Sequence, residues 1–424
     1  MMRMNEKPWF ILTFISFIAV LVTSVLLLQG CVLNGTCHGV TPQSQLEGPV
    51  KQEWVAHYHA GDAKAVAVDK NGDICVTGSG GTIKYNSAGQ ELWDATLSFT
   101  SDVSMAIDTE GNIYVAGLGG KDSNYITELS VVKYSADGKQ LWSSNRVADH
   151  YYQWVSLALD KQGNAYVAVD VGYYVNNSVG IFKYSGIDGT ELWMASYERP
   201  YDGPEAPSVV VDGSGNLYLA GADELVKYSS EGIELWSIRL DEVAGKTWVG
   251  CSLALDQQGN IYVSPSSYRI SKYDTNGRQI WTISYDSIQA SIVLDGSGNI
   301  YASGGGKITK YSTGGTLLWS IVGTGGLAVD SAGNIYVTSL DGKWWLTRKY
   351  SSSGTEVWTA RYWDGAEGYV GDIWSEPTGI AVDALGNVYV TGKSTYQVCG
   401  GGLEHIDSGS LASSEYTTIK YSKQ

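Results

Sequence analysis

One short phrase of residues recurs eight times along this chain. Each copy has an Asp, a Gly three residues after it, a Lys-Tyr pair further on and, in all but the last copy, a Trp. The Asp positions are Asp69, Asp108, Asp160, Asp212, Asp256, Asp295, Asp330 and Asp383. The Trp series is shifted against them, because it begins at Trp54 and ends at Trp358, before the last Asp. This shift predicts a closed ring in which an N-terminal segment completes the last unit.

Each Asp begins a predicted β-hairpin. An apolar segment precedes Asp108, and a segment of alternating character that contains Tyr114 follows the Gly-Asn pair. An Asp side chain can bond the backbone of a turn, and Gly and Asn tolerate positive φ. A calcium loop is the alternative, but such loops need several alternating oxygen ligands. We therefore interpret the Asp as a structural residue of the turn.

A Lys-Tyr strand follows each hairpin, and in all but the last copy a Gly-containing turn and a Trp strand come after it, as in residues 83–93. Each repeat thus has four strands, here called a to d, and its length of 35 to 53 residues is typical of propeller blades. The last repeat ends at Gln424 without a Trp strand, and residues 52–54 supply one. The sequence therefore predicts an all-β fold, an eight-bladed β-propeller of four-stranded blades over residues 51–424, closed by an N-terminal strand. An open solenoid, the alternative, leaves that strand unpaired at an edge.

The repeat has a recognisable consensus. Its pattern Ala-Val-Asp-x-x-Gly-Asn-Ile-Tyr-Val-Thr-x, with Lys-Tyr-Ser and Leu-Trp, resembles the β-propeller repeats (SBBP) of bacterial and archaeal surface proteins. It is also similar to NHL and quinoprotein-type repeats. The resemblance covers residues 51–424 and implies the fold, whereas such propellers host many unrelated functions. Taken with the N-terminus described next, the blade number is similar to that of the propeller subunit of the outer-membrane barrel assembly machinery.

Residues 1–31 form a separate segment. Two basic residues precede an apolar run at residues 9–28, and a Gly stands immediately before Cys31. This arrangement is typical of a lipoprotein signal whose Cys becomes the lipidated N-terminus. The run of roughly 20 residues is also long enough to cross a bilayer uncut. Both alternatives predict a membrane-anchored, extracytoplasmic protein, in the cell envelope or on the cell surface, with residues 32–50 as a polar tether.

Charge and cysteine content limit the possible partners. The formal net charge of −16 argues against binding to nucleic acid or to an anionic membrane surface, since either needs a basic face. Five cysteines occur, and four remain if Cys31 carries lipid, which leaves three possible disulfide pairings open. Cys75 takes a strand position that is Tyr in the other seven repeats. We expect it to be buried and unpaired.

The variation in length lies in two of the four connections. The a–b and c–d turns are nearly constant, whereas b–c, measured Tyr to Tyr, runs from 10 to 32 residues. The d–a connection, measured Trp to Asp, runs from 11 to 25 residues. In a four-stranded blade, b–c and d–a lie on the same face of the ring. Length freedom on one face of a rigid scaffold predicts that binding occurs there.

The aromatic residues outside the repeat pattern also fall in these segments. The predicted ligand-binding face comprises Tyr151, Tyr152, Trp154, Tyr201, Asp202, Glu205, Trp248, Trp363, Asp364, Glu367 and Trp374. Flat aromatic rings beside carboxylates suit sugars, peptides or cationic groups, so we expect a protein or glycan partner. The alternative for Trp154 and Trp248 is structural, as plugs of the channel mouth.

The evidence for catalysis is weaker. His57, His59 and His405 are candidate zinc ligands that ring closure brings together, but the pattern is not specific, and no metal site is predicted. Quinoprotein dehydrogenases use adjacent cysteines, which this chain lacks, and no cofactor is expected. Facing carboxylates in the long loops allow a carbohydrate-active hydrolase or lyase as the alternative. The sequence favours a binding scaffold over an enzyme.

Overall fold

The computed structural model describes residues 43–58, 61–97, 99, 102–119, 128–147, 152–171, 178–198, 206–221, 224–240, 251–265, 268–285, 291–363, 375–397 and 412–424. In this part of the chain, 33 strands form eight antiparallel sheets, each of which is one blade. Among the described residues, no helix with the length and apolar character needed to cross a membrane was found.

The strands follow the chain blade by blade. Two strands precede the first blade, β1 (Gln43–Glu47) and β2 (Val50–Tyr58). Blade 1 contains β3 (Ala63–Val68), β4 (Ile74–Gly78), β5 (Gly81–Tyr85) and β6 (Glu91–Thr96). Blade 2 contains β7 (Val103–Ile107), β8 (Ile113–Gly119), β9 (Glu128–Tyr134) and β10 (Gln140–Val147). Blade 3 contains β11 (Tyr152–Leu159), β12 (Ala165–Val171), β13 (Ser178–Tyr184) and β14 (Glu191–Glu198).

The remaining blades repeat this order. Blade 4 contains β15 (Ser208–Val211), β16 (Leu217–Ala220), β17 (Glu224–Tyr228) and β18 (Glu234–Arg239). Blade 5 contains β19 (Ser252–Leu255), β20 (Ile261–Ser264), β21 (Arg269–Tyr273) and β22 (Gln279–Ser284). Blade 6 contains β23 (Ser291–Leu294), β24 (Ile300–Gly304), β25 (Lys307–Tyr311) and β26 (Leu317–Val322). Blade 7 contains β27 (Gly326–Val329), β28 (Ile335–Asp341), β29 (Trp344–Tyr350) and β30 (Glu356–Trp363), and blade 8 contains β31 (Ser375–Val382), β32 (Val388–Gln397) and β33 (Ala412–Lys423).

The ring is closed by the N-terminal strand. The innermost strand of each blade contacts that of the next blade, and β31 of blade 8 contacts β3 of blade 1. Strand β2 pairs with β33 as the outermost strand of blade 8, with Trp54 opposite Lys420. The predicted eight-bladed propeller and its closure by an N-terminal strand are both confirmed.

Strand β1 corrects the prediction of a tether at residues 32–50. It pairs with β30, from Glu47 opposite Thr359 to Gln43 opposite Trp363, and gives blade 7 a fifth strand. All five β1 residues are exposed, so the segment contributes backbone hydrogen bonds to an edge rather than apolar burial. Residues 32–42 and the predicted signal 1–31 lie outside the described residues.

The eight Asp residues close their hairpins as expected. In the hairpin of Asp295, Oδ1 accepts hydrogen bonds from the N–H groups of Ser297 and Asn299 at 3.0 and 2.9 Å. Its Oδ2 accepts from Asn299 Nδ2 at 2.9 Å and from the Tyr301 hydroxyl at 3.1 Å. Backbone and neighbouring side chains thus occupy both carboxylate oxygens, which supports the structural interpretation over a calcium site.

These hairpins make stability depend on pH. Burial alone raises the pKa of the carboxyls of Asp212, Asp256, Asp295 and Asp330, but the hydrogen bonds that each accepts outweigh burial and hold the pKa below its ordinary value. A lowered folded-state pKa contributes stability that is present above the unfolded value of about 3.9 and is lost as pH falls through the folded pKa. We expect a level melting temperature from neutral pH to about pH 5 and a fall below about pH 4. Thermal melts across this range check it, and a constant melting temperature throughout contradicts it.

Neighbouring blades are joined by a repeated pair of hydrogen bonds, here called the staple. The indole Nε1 of Trp93 and the ammonium of Lys84, both on blade 1, each donate to the carbonyl of Ala136 in the c–d turn of blade 2, at 3.1 Å. At the seam where the ring closes, Trp54 and Lys420 donate to Ser87 O at 3.2 and 2.7 Å. The N-terminal strand therefore carries the same connection as an ordinary blade.

The Gly of each c–d turn packs against the Trp of the preceding blade. A Cβ added to Gly138, where φ is +89°, would lie 2.5 Å from Cγ of Trp93, whereas a Cβ on Gly72, where φ is +80°, meets no atom within 4 Å. Substitution to Ala should therefore cost roughly 1–2 kcal/mol at Gly72 from backbone strain alone. At Gly138 it should cost roughly 1–3 kcal/mol more from overpacking. Urea unfolding of the two variants measures the difference, and equal losses would show that contact with Trp93 is unimportant.

Blade 1 departs from the repeat in a compensated way. Cys75 replaces the strand Tyr and is 0% exposed, and burial raises the pKa of its thiol to about 12. It has no disulfide partner in the described chain, so the prediction for Cys75 is confirmed. Asp73 replaces the hairpin Asn, and Lys84 lies 2.8 Å from Asp69 and 3.5 Å from Asp73. Blades 2, 3, 5 and 6 also pair this Lys with the hairpin Asp, at 3.2–3.8 Å, but in blade 1 the closer Lys84 takes the place of the Tyr hydroxyl as a donor to Asp69.

Candidate binding face

The two faces of the ring differ in regularity. The turn face carries the a–b and c–d turns, where the Asp hairpins and the staples repeat with little change. The loop face carries the b–c and d–a connections, and most gaps between the described residues fall there. The candidate binding surface is therefore described from the strand ends that reach the loop face.

Three of the predicted aromatic residues are described. Tyr152 is 6% exposed and packs in the core between blades 2 and 3, so its ring supports the fold. Trp154 is half-buried and lies within the inner strand β11 rather than in a connection. Trp363 is the last residue of β30. The predicted residues that lie outside the described chain are Cys31, His59, Tyr151, Tyr201, Asp202, Glu205, Trp248, Asp364, Glu367, Trp374 and His405.

Blade 7 presents a cluster at the loop face that we call the aromatic corner, formed by Lys343, Trp344 and Trp363. The two indole rings are 6.0 Å apart, with an angle of 57° between their planes. The Lys343 ammonium lies 3.4 Å from the Trp363 ring centroid and 5.8 Å from that of Trp344. Trp344 is half-buried and Lys343 is exposed. Such a pair of rings can stack on a planar group or hold a cation.

Strand geometry explains why this corner reaches the surface. Trp344 and Trp345 are successive residues of β29, so their side chains point to opposite sides of the sheet. Trp345 is fully buried, with its ring 5.8 Å from that of Tyr362. The position of Lys343 directly before Trp344 was the signal in the sequence, but Lys343 was not among the predicted residues. Because successive side chains of a strand point to opposite sides of the sheet, Trp345 supports the core and Trp344 is accessible.

A chain of side-chain hydrogen bonds connects the base of the corner to the closing strand. Trp345 Nε1 donates to Ser375 Oγ at 2.8 Å. The chain continues through Ser375–Ser394 at 3.1 Å, Thr417–Ser394 at 3.0 Å, Thr417–His57 at 3.3 Å and His57–Glu415 at 2.8 Å. It crosses from blade 7 through all of blade 8 to β2. Its members are mostly buried, and satisfied buried networks of this kind hold one arrangement of the surrounding strands.

His57 takes a structural role in this chain. Its Nδ1 lies 2.8 Å from Glu415 Oε1, and its side chain is 17% exposed. No group of three His, Cys, Asp or Glu side chains able to hold a metal ion was found among the described residues. The other two candidate ligands, His59 and His405, lie outside them.

The first described residue of the chain lies on the loop face. Gln43, the first described residue, pairs with Trp363 at the loop-face end of β30, and β1 then runs toward the turn face. Gln43 therefore lies opposite Trp363 of the aromatic corner. The sequence did not predict this, because a polar edge strand has no apolar pattern.

Comparison with known proteins supports the repeat and the fold. The model of the Beta-propeller repeat family, SBBP, matches residues 369–395, which include Asp383. A search of the curated proteins found no match to this sequence.

Two solved structures are similar in fold. BamB from Moraxella catarrhalis matches with a TM-score of 0.54 and 12% identity, over 88% of this chain and 99% of that one. The Dos1 propeller matches with a TM-score of 0.55 and 12% identity, over 88% of this chain and 95% of that one. At this identity the likeness concerns the fold alone. By repeat sequence and by architecture, the chain is an eight-bladed β-propeller built from repeats that resemble the SBBP type.

Proposed function

We propose that this protein is a membrane-anchored, extracytoplasmic binding scaffold that holds a protein or glycan partner on its loop face. The aromatic corner is the observation that carries the proposal. It places a half-buried Trp344 and an exposed Lys343 at the loop-face end of blade 7. The five strands of that blade and a buried hydrogen-bond chain hold them in place. Tryptophan held on a rigid support is a frequent source of binding energy at interfaces.

Several of the predicted binding residues lie near the corner residue Trp363 in sequence. Asp364 follows Trp363 directly in sequence, Glu367 is three residues further on, and Trp374 directly precedes β31. Acidic and aromatic residues near the corner in sequence, with a chain net charge of −16, favour a partner that offers cationic or hydrogen-bonding groups. A carbohydrate-active hydrolase or lyase on the same face is the alternative, for which Asp202, Glu205, Asp364 and Glu367 would supply the acid and base.

Binding measured with paired variants tests the proposal. Trp344→Ala removes an accessible ring of the corner, and Leu235→Ala changes an exposed side chain beside a turn-face loop of blade 4. The ligands are the envelope proteins or glycans that the full-length chain retains. We expect Trp344→Ala to weaken their binding about 30-fold, the effect of losing a binding hot spot of about 2 kcal/mol. Leu235→Ala should retain them. Equal binding by the two variants, together with binding that survives deletion of residues 398–411, contradicts a loop-face site.

A glycan array separates the two function classes. Sugars that are bound but not cleaved support the scaffold. Turnover of a glycan that is abolished by Glu205→Gln or Asp364→Asn supports the enzyme instead. The array is read both for retained probe and for released product.

Labelling with a fatty-acid analogue tests the anchor. We expect Cys31 to incorporate the label and Cys31→Ser to lose it, because the thiol is the lipid acceptor. An unlabelled wild-type chain that remains in the membrane fraction identifies an uncleaved apolar anchor instead.

A further inference from the structure

The interface between blades 7 and 8 lacks one half of the staple. The repeat tryptophans of the other seven blades donate Nε1 to a carbonyl in the c–d turn of the next blade. The pairs are Trp54 to Ser87, Trp93 to Ala136, Trp142 to Gly186, Trp193 to Ser230, Trp236 to Thr275, Trp281 to Thr313 and Trp319 to Ser352. In blade 8 no such turn exists, because β33 and β2 come from opposite ends of the chain.

Strand pairing explains why blade 8 offers no carbonyl to the donors of blade 7. In the other blades the acceptor stands two residues after the Tyr of the Lys-Tyr pair, and the corresponding residue in blade 8 is Lys423. Instead of turning, β33 continues straight and Lys423 pairs with Val50 of β2. The backbone at Lys423 is therefore engaged in the sheet rather than turned toward blade 7.

The donors of blade 7 are nevertheless in their usual places. Lys349 Nζ lies 4.8 Å from the Tyr336 ring centroid, as Lys310 lies 4.7 Å from Tyr301 in blade 6. Lys310 donates to Ser352 O at 3.1 Å, whereas Lys349 makes no hydrogen bond or ion pair within the described chain. The ammonium is positioned for an acceptor that the fold does not supply.

The indole N–H of Trp358 also lacks an acceptor in the described part of the chain. Its side chain is 4% exposed and lies between the rings of Tyr336 and Tyr421, at 6.2 and 6.1 Å. Its Nε1 makes no hydrogen bond within the described residues, although the same atom is bonded in the seven other blades. An indole N–H that lacks a protein acceptor is available to a bound oxygen at this position.

Two ammonium groups and the carboxylate of Asp330 act on one another at this seam. Burial lowers the pKa of Lys349, and the charge of Lys423 lowers it further, although Asp330 acts in the opposite direction. Neither lysine forms an ion pair in the described part of the chain. Asp330 is occupied by its own hairpin, where it accepts hydrogen bonds from Asn334 and Tyr336 at 2.8 and 2.9 Å. A water molecule can satisfy the indole, whereas an oxyanion also supplies a charge opposite to that of the two ammonium groups.

We propose that the seam between blades 7 and 8 binds a small oxyanion, a phosphate or carboxylate group whose oxygen takes the place of the missing turn carbonyl. Trp358 Nε1 and Lys349 Nζ donate to it, and Lys423 contributes charge from the rim. Charge-assisted hydrogen bonds from an ammonium to an oxyanion are stronger than those to a neutral carbonyl. The bound anion joins the two blades where the chain itself does not.

Thermal unfolding of the full-length protein in detergent, titrated with inorganic phosphate at fixed ionic strength, tests this site. Binding to the folded state alone predicts a saturable rise in melting temperature of roughly 2 °C for the wild type. Lys349→Met should abolish the rise. Lys310→Met removes the same residue from blade 6, where a carbonyl is present, and should retain it. Acetate in place of phosphate reports whether a carboxylate suffices.

Lys423→Gln gives a second measurement if Lys349→Met does not fold. Its exposed side chain lies at the chain terminus, and the substitution should raise the phosphate concentration at half-effect by roughly fivefold, as loss of one charge contact at a partly exposed site predicts. Two outcomes overturn the proposal. One is a wild-type protein whose melting temperature does not respond to phosphate, and the other is an equal response in the Lys349→Met and Lys310→Met variants.

Discussion

Removing strand β2 should lower the melting temperature of this protein by roughly 5 °C or more, because about 5 kcal/mol of side-chain burial is lost with it. The variant deletes residues 43–58. Its matched control deletes residues 43–47 and so removes β1 alone. The control should melt within about 2 °C of the wild type, since edge hydrogen bonds contribute little net free energy.

The difference follows from what each strand buries. Val50 is 0% exposed and packs with Trp358 and Tyr421, while Trp54 lies between the rings of Tyr85 and Tyr389 at 6.1 Å from each. Burial of each such side chain contributes about 1.5–3 kcal/mol. Every residue of β1 is exposed. Loss of β2 also leaves β33 as an open edge that can pair with another chain.

Near-ultraviolet circular dichroism during heating measures both variants. Equal melting temperatures for the two deletions would show that β2 is dispensable and that the ring does not depend on the N-terminal strand. Size-exclusion chromatography accompanies the melts, since aggregation of the longer deletion is the expected consequence of the exposed β33 edge.

The substitution Lys84→Met should destabilise the protein by about 3–5 kcal/mol, the loss expected when one partner of a buried ion pair is removed. The Lys84 and Asp69 side chains are 2% and 0% exposed and lie 2.8 Å apart. Burial alone lowers the pKa of Lys84, but the hydrogen bond and charge of Asp69 outweigh it, so the pKa is raised. Without the ammonium, Asp69 becomes a buried and uncompensated charge.

Lys420 provides the matched control, because it has the same place in blade 8. It donates to Ser87 O at 2.7 Å but forms no ion pair with Asp383 within the described chain. Lys420→Met should therefore cost only about 1 kcal/mol, the usual contribution of one hydrogen bond. Urea unfolding gives both values.

A double variant identifies the cause of the loss. Adding Asp69→Asn to Lys84→Met removes the uncompensated charge and should restore much of the stability. If Lys84→Met and Lys420→Met cost the same, or if Asp69→Asn restores nothing, the ion pair is not the source of the effect.

The repeat allowed most of the fold to be predicted. Asp, Gly and Asn at fixed spacing specify a hairpin by local turn chemistry, and Trp54 before the first Asp specified the closing strand. These signals are local and occur many times, so each copy supports the others. The same regularity makes Cys75 recognisable as an exception. Lys84, which lies opposite Cys75 on the next strand, compensates for the missing Tyr by pairing with Asp69.

The binding face was less predictable, because its residues obey no repeat. Trp363 was found as an aromatic outside the pattern, but Lys343 was not, since only the hairpin geometry brings its ammonium over that ring. Strand β1 was missed because backbone pairing with β30 needs no apolar side chains. That Trp358 Nε1 and Lys349 Nζ lack a carbonyl acceptor in the described chain becomes evident only by comparison with the other blades.

The most direct test of the closed ring is a disulfide between its two chain ends. Ala56 and Thr418 are directly opposite on β2 and β33, as Ala95 and Thr82 are in blade 1, so paired cysteines at either site have suitable spacing. The account predicts that Ala56→Cys with Thr418→Cys forms its disulfide as completely as Ala95→Cys with Thr82→Cys, measured by peptide mass spectrometry. Ala56→Cys with Thr82→Cys should form none. A missing 56–418 disulfide, where the 82–95 disulfide forms, would contradict closure by the N-terminal strand.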